Sequence, residues 1–279
     1  MSVIINFSQE SSITAIPYLL GNENQALALD LLATLFQSLN ESTLRLADKI
    51  NNIMRDKNLT GSSLIERGTM KVELLIHGSP RPIQMNLRTI ISDAWSTVDY
   101  AHLVGEILPV AKVELTTDEQ ALLRRVKMIR NSYHHNNERI DEHFSKAGAV
   151  FGNLSWQYKD GNNTSTIILY PNMSPTDCTS GNFEKNASDD AKVSGVSTVK
   201  LHFVEKENKK ASVEDLEVNL DLVAEMMNNI IQRMEGPAQS IIDQVKHNQQ
   251  ENAGATIGQP RMPPVMIIMI RNNEDMQTK

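Results

Sequence analysis

An arginine, an amide and two histidines lie within six consecutive positions near the middle of the chain. Residues 130–135 read Arg-Asn-Ser-Tyr-His-His, inside an amphipathic stretch that begins at residue 122. Arginine is permanently charged and suits phosphate, histidine exchanges protons near neutral pH, and an amide orients either group. We therefore interpret residues 122–143 as a candidate reaction centre for chemistry at a phosphate.

The spacing of these residues suits cleavage of RNA without a metal ion. Arg130 and His134 are four residues apart and so share a helix face, while His135 is one step further around. A histidine base would activate the 2'-hydroxyl against its own phosphodiester, and the arginine would stabilise charge at phosphorus. The sequence contains no HExxH or CxxC motif, so we predict neither a metal site nor a cofactor.

Composition and charge exclude several classes of protein. A net charge of -7 argues against broad, sequence-independent nucleic-acid binding but leaves room for a local basic site. The single cysteine, Cys178, rules out an internal disulfide framework and fits a reducing cytosol. No run of about 18 apolar residues is present, and the first residues lack the pattern of a secretory signal, so we expect a cytoplasmic protein with no membrane partner.

Helical periodicity organises most of the chain. An apolar seam at four-three spacing over residues 22–56 predicts a core helix of a bundle, with a dimerising coiled coil as the alternative. A second helix is predicted over 84–108, and a third begins at a capping box formed by Thr117 and Gln120. A fourth runs from residue 212 or 219 to 234, and a shorter amphipathic piece follows Pro237.

Alternating apolar and polar residues predict a small set of strands. One strand or extended arm covers residues 70–76, a hairpin joins 154–158 to 164–170, and a further strand covers 196–204. The fold class that follows is mainly α, a helical bundle with a small antiparallel β insertion, and so α+β overall.

These elements divide the chain into five regions. They are an N-terminal long helix with a β arm (1–83), core helices (84–146), a β insertion with a mobile loop at 172–195 (147–211), C-terminal helices that complete the bundle (212–252) and a flexible tail that carries an apolar strand at 265–270 (253–279). The apolar strand must dock on the body or on a partner subunit, because it would promote aggregation if it were exposed.

The arginine segment and the helix before it resemble the HEPN domain superfamily. Residues 130–135 are similar to its R-polar-x3-H signature, and residues 92–102, which carry Asp93 and Asp99, resemble the acidic helix that faces this motif. The resemblance covers roughly residues 85–143 and, more loosely, the helix that ends near 234.

The resemblance implies an all-helical bundle that forms a homodimer with two motifs facing each other across one cleft. Many members are metal-independent ribonucleases of toxin-antitoxin, abortive-infection or CRISPR-associated systems, and others only bind. Arg130 and His135 would be the catalytic pair and Asn131 the polar position, with His134 as a second candidate histidine. The implied partners are RNA and a protein such as an antitoxin. Supporting roles fall to Asp93, Asp99 and Tyr133.

Structural interpretations stand beside each functional one. The histidines could be solvated helix-end residues, with Arg130 paired to Glu138 or Asp141. Asp93 and Asp99 could pair with nearby arginines, and an Asp99 that reaches Arg130 would orient its guanidinium. The arginines considered for these pairs are Arg124, Arg125 and Arg130.

The remaining aromatic and histidine residues have simple interpretations. His102 on an apolar face is interpreted as a core histidine, and Trp95, Trp156 and Tyr158 as core or sheet anchors, with base stacking on the 156–158 hairpin as the alternative. For the whole chain, the alternative to a ribonuclease is a non-catalytic HEPN-like dimeric binding protein, or a plain helical scaffold in which the motif is a coincidence.

Overall fold

The computed structural model describes residues 3–8, 11–15, 22–55, 63–67, 70–74, 81–134, 152–160, 163–169, 199–206 and 213–251. The helices within these ranges are α1 (Ser12–Ala15), α2 (Glu23–Arg55), α3 (Arg81–Ile107), α4 (Thr117–His134) and α5 (Leu220–Glu251). None of the described helices is both long and apolar enough to cross a membrane.

The described strands form two antiparallel sheets. β1 (Ser63–Arg67) pairs with β2 (Met70–Leu74). The second sheet has the order β4-β3-β5-β6, built from β3 (Asn153–Asp160), β4 (Asn163–Leu169), β5 (Lys200–Lys206) and β6 (Val213–Asn219). The predicted fold class, mainly α with a small antiparallel sheet, is confirmed.

The long helix α2 is a core helix of the bundle. Asn22 caps it, because its Oδ1 accepts a hydrogen bond from the Gln25 amide at 3.1 Å. The predicted seam is buried within the chain, which confirms the bundle interpretation over the dimerising coiled coil. The seam residues whose side chains the structure describes are all fully buried: Leu32, Phe36, Leu39, Thr43, Leu46 and Ile50.

Helix α3 lies at the centre of the fold and contacts α2, α4, α5 and β3. Its apolar positions recur at helical spacing, so one face enters the core against α2 and another meets α4. Buried hydroxyls bridge the first of these interfaces, where Ser42 and Thr97 hydrogen-bond at 3.1 Å. Its fully buried apolar residues include Ala94, Val98, Ala101 and Val104. The elements on either side of the candidate site are thus held by a continuous core.

The sheet packs on the bundle through α3, α4 and α5. The predicted hairpin is confirmed, with Asp160 paired to Asn163 at its tip. Trp156 of β3 is only 1% exposed, so it anchors the sheet in the core and does not offer a stacking surface to a base. The side chain of Tyr158 lies outside the described residues.

Of the two predicted starts of the C-terminal helix, 219 agrees with the structure to within one residue and 212 is wrong, and the predicted end at 234 is also wrong. Residues 213–219 are strand β6 and not the start of a helix; Leu216 and Leu220 fit helical spacing, but alternation with Val218 lets this segment pair with β5. The helix begins at Leu220, where the Asn219 Oδ1 accepts bonds from the amides of residues 221 and 222. It continues through Pro237 to Glu251, although proline lacks the amide that would complete the helical bonding there.

A buried carboxylate ties the chain's N-terminal segment to the start of α5. Asp221 is 4% exposed, and its oxygens accept hydrogen bonds from the Val3 amide at 2.8 Å and the Val199 amide at 3.0 Å. Three segments distant in sequence therefore meet at this residue. The predicted loop at 172–195 and apolar strand at 265–270 lie outside the described residues, and the five predicted regions stay a prediction.

Candidate functional site

Helix α4 carries the arginine motif, and a capping box fixes where the helix begins. The Thr116 amide donates to the Glu119 Oε2 at 2.8 Å, and the Glu119 amide donates to the Thr116 Oγ1 at 3.3 Å. This reciprocal pair satisfies two amides that the helix itself leaves unbonded. The box is therefore one residue earlier than the predicted pair, Thr117 and Gln120.

The same glutamate anchors α4 to α5. Arg233 donates to both oxygens of Glu119, from Nη1 at 2.7 Å and from Nη2 at 2.9 Å. Burial alone would raise the pKa of Glu119, but the bonds from Arg233 and Thr116 outweigh it and hold this pKa below its usual value. The first turn of α4 is thus fixed by a two-point ion pair.

At the other end of α4, Arg130 faces Asp99 of α3. The Arg130 Nε lies 3.4 Å from the Asp99 Oδ1, and the two side chains are 32% and 35% exposed. This contact is an ion pair without a hydrogen bond, since the buried Nε has no hydrogen-bond partner. The Arg130 Nη1 donates to the Asn131 Oδ1 at 3.5 Å. Asp99 therefore reaches Arg130, as one of the sequence interpretations required. The guanidinium contacts this carboxylate through one nitrogen only.

A second ion pair continues the seam between α3 and α4. The Lys127 Nζ lies 2.8 Å from the Glu106 Oε1, and the His102 Nδ1 lies 3.9 Å from the same oxygen. Burial lowers the pKa of His102, and the charges of Arg130 and Lys127 lower it further against the opposing effect of Glu106 and Asp99. The His102 side chain is 11% exposed, so it is largely buried, as the sequence interpretation expected, and it also belongs to the charged seam.

Tyr133, which was assigned a supporting role, packs beneath this seam. Its ring stacks on Trp95 with centroids 3.9 Å apart and an interplanar angle of 18°. Burial raises the pKa of Tyr133, and the Asp99 carboxylate raises it further. Trp95 is 2% exposed, which confirms it as a core anchor and gives the end of α4 a rigid base on α3.

Asp93, the other acidic candidate on α3, has different partners from those expected. It is 8% exposed and forms ion pairs with Arg45, at 3.3 Å, and with Lys49. Both cations are on α2, so Asp93 joins α2 to α3, whereas the sequence had suggested arginines of α4. The structure brings Asp99 and Tyr133 to the Arg130 end of α4 and places Asp93 in another interface.

The predicted histidines are at the limit of the described residues. His134 ends α4, its side chain is not described, and His135 lies beyond it, as do Glu138 and Asp141. Asn131 is exposed beside Arg130. The roles assigned to these residues, and the alternative pairing of Arg130 with Glu138 or Asp141, stay predictions.

Sequence reasoning missed two of the ion pairs that flank the motif. Glu106 pairs with Lys127, and Glu119 with Arg233. The Glu106–Lys127 pair has a signal in the sequence. Glu106 follows Asp99 by seven residues on α3, and Lys127 precedes Arg130 by three on α4. These spacings place this pair and the Arg130–Asp99 pair along one helix-helix seam. The second joins residues 114 positions apart and has no local signal.

The described residues contain no group of three or more histidine, cysteine, aspartate or glutamate side chains that could hold a metal ion. What the seam offers is a partly exposed guanidinium, an amide and an ammonium group, all of which can contact an anion. No protein-family model, no curated protein and no solved structure matches this chain.

Proposed function

We propose that this chain is a HEPN-like endoribonuclease that cleaves RNA without a metal ion. The observation that supports it best is the Arg130–Asp99 pair, in which an acidic residue of α3 lies 3.4 Å from the motif arginine on α4. A carboxylate in this position favours guanidinium orientations that keep Nε close to it, while both groups stay partly accessible to substrate. We place the activity in the cytoplasm, in a prokaryotic defence or toxin-antitoxin context.

The reaction needs one base, one charge stabiliser and one orienting group. His135, or His134 beside it, would take the proton from the 2'-hydroxyl, whose oxygen then attacks the adjacent phosphorus. Arg130 would stabilise the negative charge that develops on the phosphoryl oxygens, and Asn131 would orient the phosphate or the base. The 5'-oxygen leaves with a proton from the protonated histidine or from water, so the products are a 2',3'-cyclic phosphate and a 5'-hydroxyl end.

The proposal includes a homodimer in which two motifs share one cleft. Leu103 on α3 supports it, because this apolar side chain is 43% exposed and follows Asp99 by four residues, so it is on the same face of α3 as the charged seam. A second copy packed on this face would cover Leu103 and exclude water from the paired guanidinium groups. The charged groups of the seam would then lie in a medium of lower dielectric constant, where the attraction between Arg130 and a phosphate is stronger.

A non-catalytic HEPN-like dimeric binding protein is the second candidate. It is favoured by the net charge of -7 and by the fact that both seam cations, Arg130 and Lys127, already have carboxylate partners. Such a protein would use the same face to bind a nucleotide, an RNA end or a protein partner. It would bind without turnover and would be indifferent to His135→Ala.

Incubation of the purified protein with mixed RNA in the presence of EDTA tests the proposal. We expect cleavage that yields cyclic-phosphate ends, and its loss in Arg130→Ala and in His135→Ala. Arg124→Ala is the matched control, because Arg124 is an exposed arginine of the same helix outside the described ion pairs of the seam. Binding of RNA without any cleavage by the wild type, or unchanged cleavage by Arg130→Ala, would contradict the ribonuclease function.

A further inference from the structure

A groove of about 810 Å³ lies between the first turns of α4 and the outer face of α5. Its apolar floor is formed by Leu122, Leu222 and Met226, and Leu222 is 49% exposed. Asp118 and Glu225 line the same groove and are exposed, while the other two charged lining residues, Glu119 and Arg233, pair with each other, so the remaining charge at the edges of the groove is acidic. An apolar floor with acidic edges fits an apolar segment that carries basic residues at its ends.

The chain contains a segment with these properties. Residues 265–270 read VMIIMI, and arginines stand at positions 261 and 271. Between residues 252 and 273 these two arginines are the only charged residues. The segment shares the apolar character of the groove floor, and the two arginines that flank it, followed by Glu274 and Asp275, are opposite in charge to Asp118 and Glu225.

The dimensions of the groove also fit this segment. The α5 residues that line it run from Leu222 to Arg233, which is about 16 Å along the helix axis at 1.5 Å per residue. Six residues in an extended conformation span about 20 Å at 3.3 Å per residue. One extended segment therefore runs the length of the groove.

The connection to the body is long enough for the segment to return. Helix α5 ends at Glu251, eighteen residues after Arg233, which is about 27 Å beyond the groove. Residues 252–264 make a connection of thirteen residues that spans at most about 43 Å when extended. We propose that the groove between α4 and α5 is the docking site of the chain's own segment 265–270, an interaction that does not depend on the ribonuclease function.

Disulfide trapping in the 279-residue chain tests this docking. In a Cys178→Ser background, Leu222→Cys is combined with Ile268→Cys, and the matched control combines Leu27→Cys with Ile268→Cys. Leu27 is 69% exposed on α2 and so is at least as reactive, but it is not among the residues that line the groove. Thermal unfolding of the reduced proteins checks that both variants are folded.

We expect the Leu222 pair to cross-link under a mild oxidant at least about tenfold faster than the Leu27 pair, because docking raises the local thiol concentration. The product should run as a monomer in a non-reducing gel. Equal rates for the two pairs would overturn the proposal. A product of dimer mass would also overturn it, because the segment would then dock on another copy.

The charges at the edges of the groove give a second test. Arg261→Glu should slow trapping of the Leu222 pair by about threefold at low salt, and the effect should shrink at high salt. Lys279→Glu is the control, because it makes the same change of charge in the tail at a residue further from the apolar segment. Equal slowing by both substitutions, or none by Arg261→Glu, would overturn the proposed recognition of the acidic edges.

Discussion

The two ends of α4 each carry an arginine-carboxylate pair, and the pairs differ in kind. At the beginning of the helix, Arg233 donates to both oxygens of Glu119 at 2.7 and 2.9 Å, and that carboxylate side chain is 10% exposed. At the other end, one nitrogen of Arg130 lies 3.4 Å from Asp99, and both side chains are about one-third exposed. The Arg233 guanidinium binds a protein carboxylate through two nitrogens, whereas the Arg130 guanidinium contacts its carboxylate through one.

The difference separates a structural ion pair from a candidate binding group. A two-point pair on a carboxylate that is 10% exposed is directional and costly to break, even where the arginine side chain is itself 43% exposed, as in Arg233. A partly exposed one-point pair contributes little to the free energy of unfolding, but it restricts the orientation of a group that can still contact an anion. The expected effects of substitution therefore diverge between stability and activity.

The largest expected effect on stability is at the beginning of α4. Glu119→Ala removes both the partner of Arg233 and half of the capping box, so we expect the free energy of unfolding to fall by about 2 to 3 kcal/mol. Asp99→Ala should lower it by less than about 1 kcal/mol. Urea denaturation of both variants measures the difference. Comparable losses would show that the two ends are held alike.

An effect on activity is expected only at the other end of α4. Asp99→Asn should slow RNA cleavage by about tenfold, because Arg130 loses the charge that orients it. Glu106→Gln is the control, since it removes the other carboxylate of the same seam and should leave the rate within about twofold. Equal slowing by both substitutions would assign the effect to the general charge of the seam and not to the orientation of Arg130.

The pH dependence of stability should also distinguish the two pairs. The folded-state pKa of Glu119 is below its ordinary value of 4.5, so its contribution to stability is complete above that pH and is lost as the pH falls further. Glu119→Gln should therefore flatten the acid side of the stability curve measured by urea denaturation. A curve parallel to that of the wild type below pH 4.5 would contradict this assignment.

The smallest effect is expected from His102, within the seam that holds Arg130. Its folded-state pKa is below the ordinary value of 6.5, so the unfolded chain binds more protons and stability falls as the pH drops below that value. His102→Gln should remove this part of the slope. Unfolding free energies measured from pH 7 downward test it, and an unchanged slope would mean that burial does not restrict protonation of His102.

Sequence reasoning was correct where a local pattern was compatible with only one structure, and it failed where the pattern fitted two. The seam of α2 repeats without interruption from Leu32 to Ile50, and all of it is buried as predicted. Thr116 and Thr117 are each followed three residues later by an acid or amide, so both match a capping box. The long-range contact with Arg233 is what distinguishes the two structurally, because it involves Glu119 and not Gln120.

The same reasoning applies to the candidate site. The approach of Asp99 to Arg130 could be anticipated from an acidic helix before a basic one, and the pair is present. The partners of Asp93 could not be anticipated, because they depend on how α2 and α3 align. Nothing in the sequence around residues 45 and 49 indicates that alignment. Strand β6 was missed because Leu216 and Leu220 fit both a helical and a strand pattern.

A matched pair of substitutions tests the central claim most directly. Arg130→Lys and Arg233→Lys both keep the positive charge and remove the planar fork. With EDTA present, we predict that Arg130→Lys cleaves RNA at least about thirtyfold more slowly than the wild type while its unfolding free energy stays within about 1 kcal/mol. Arg233→Lys should lose stability and keep its rate per folded molecule. A wild-type rate for Arg130→Lys, or equal loss of rate in both variants, would contradict the claim that the two ends of α4 have different roles.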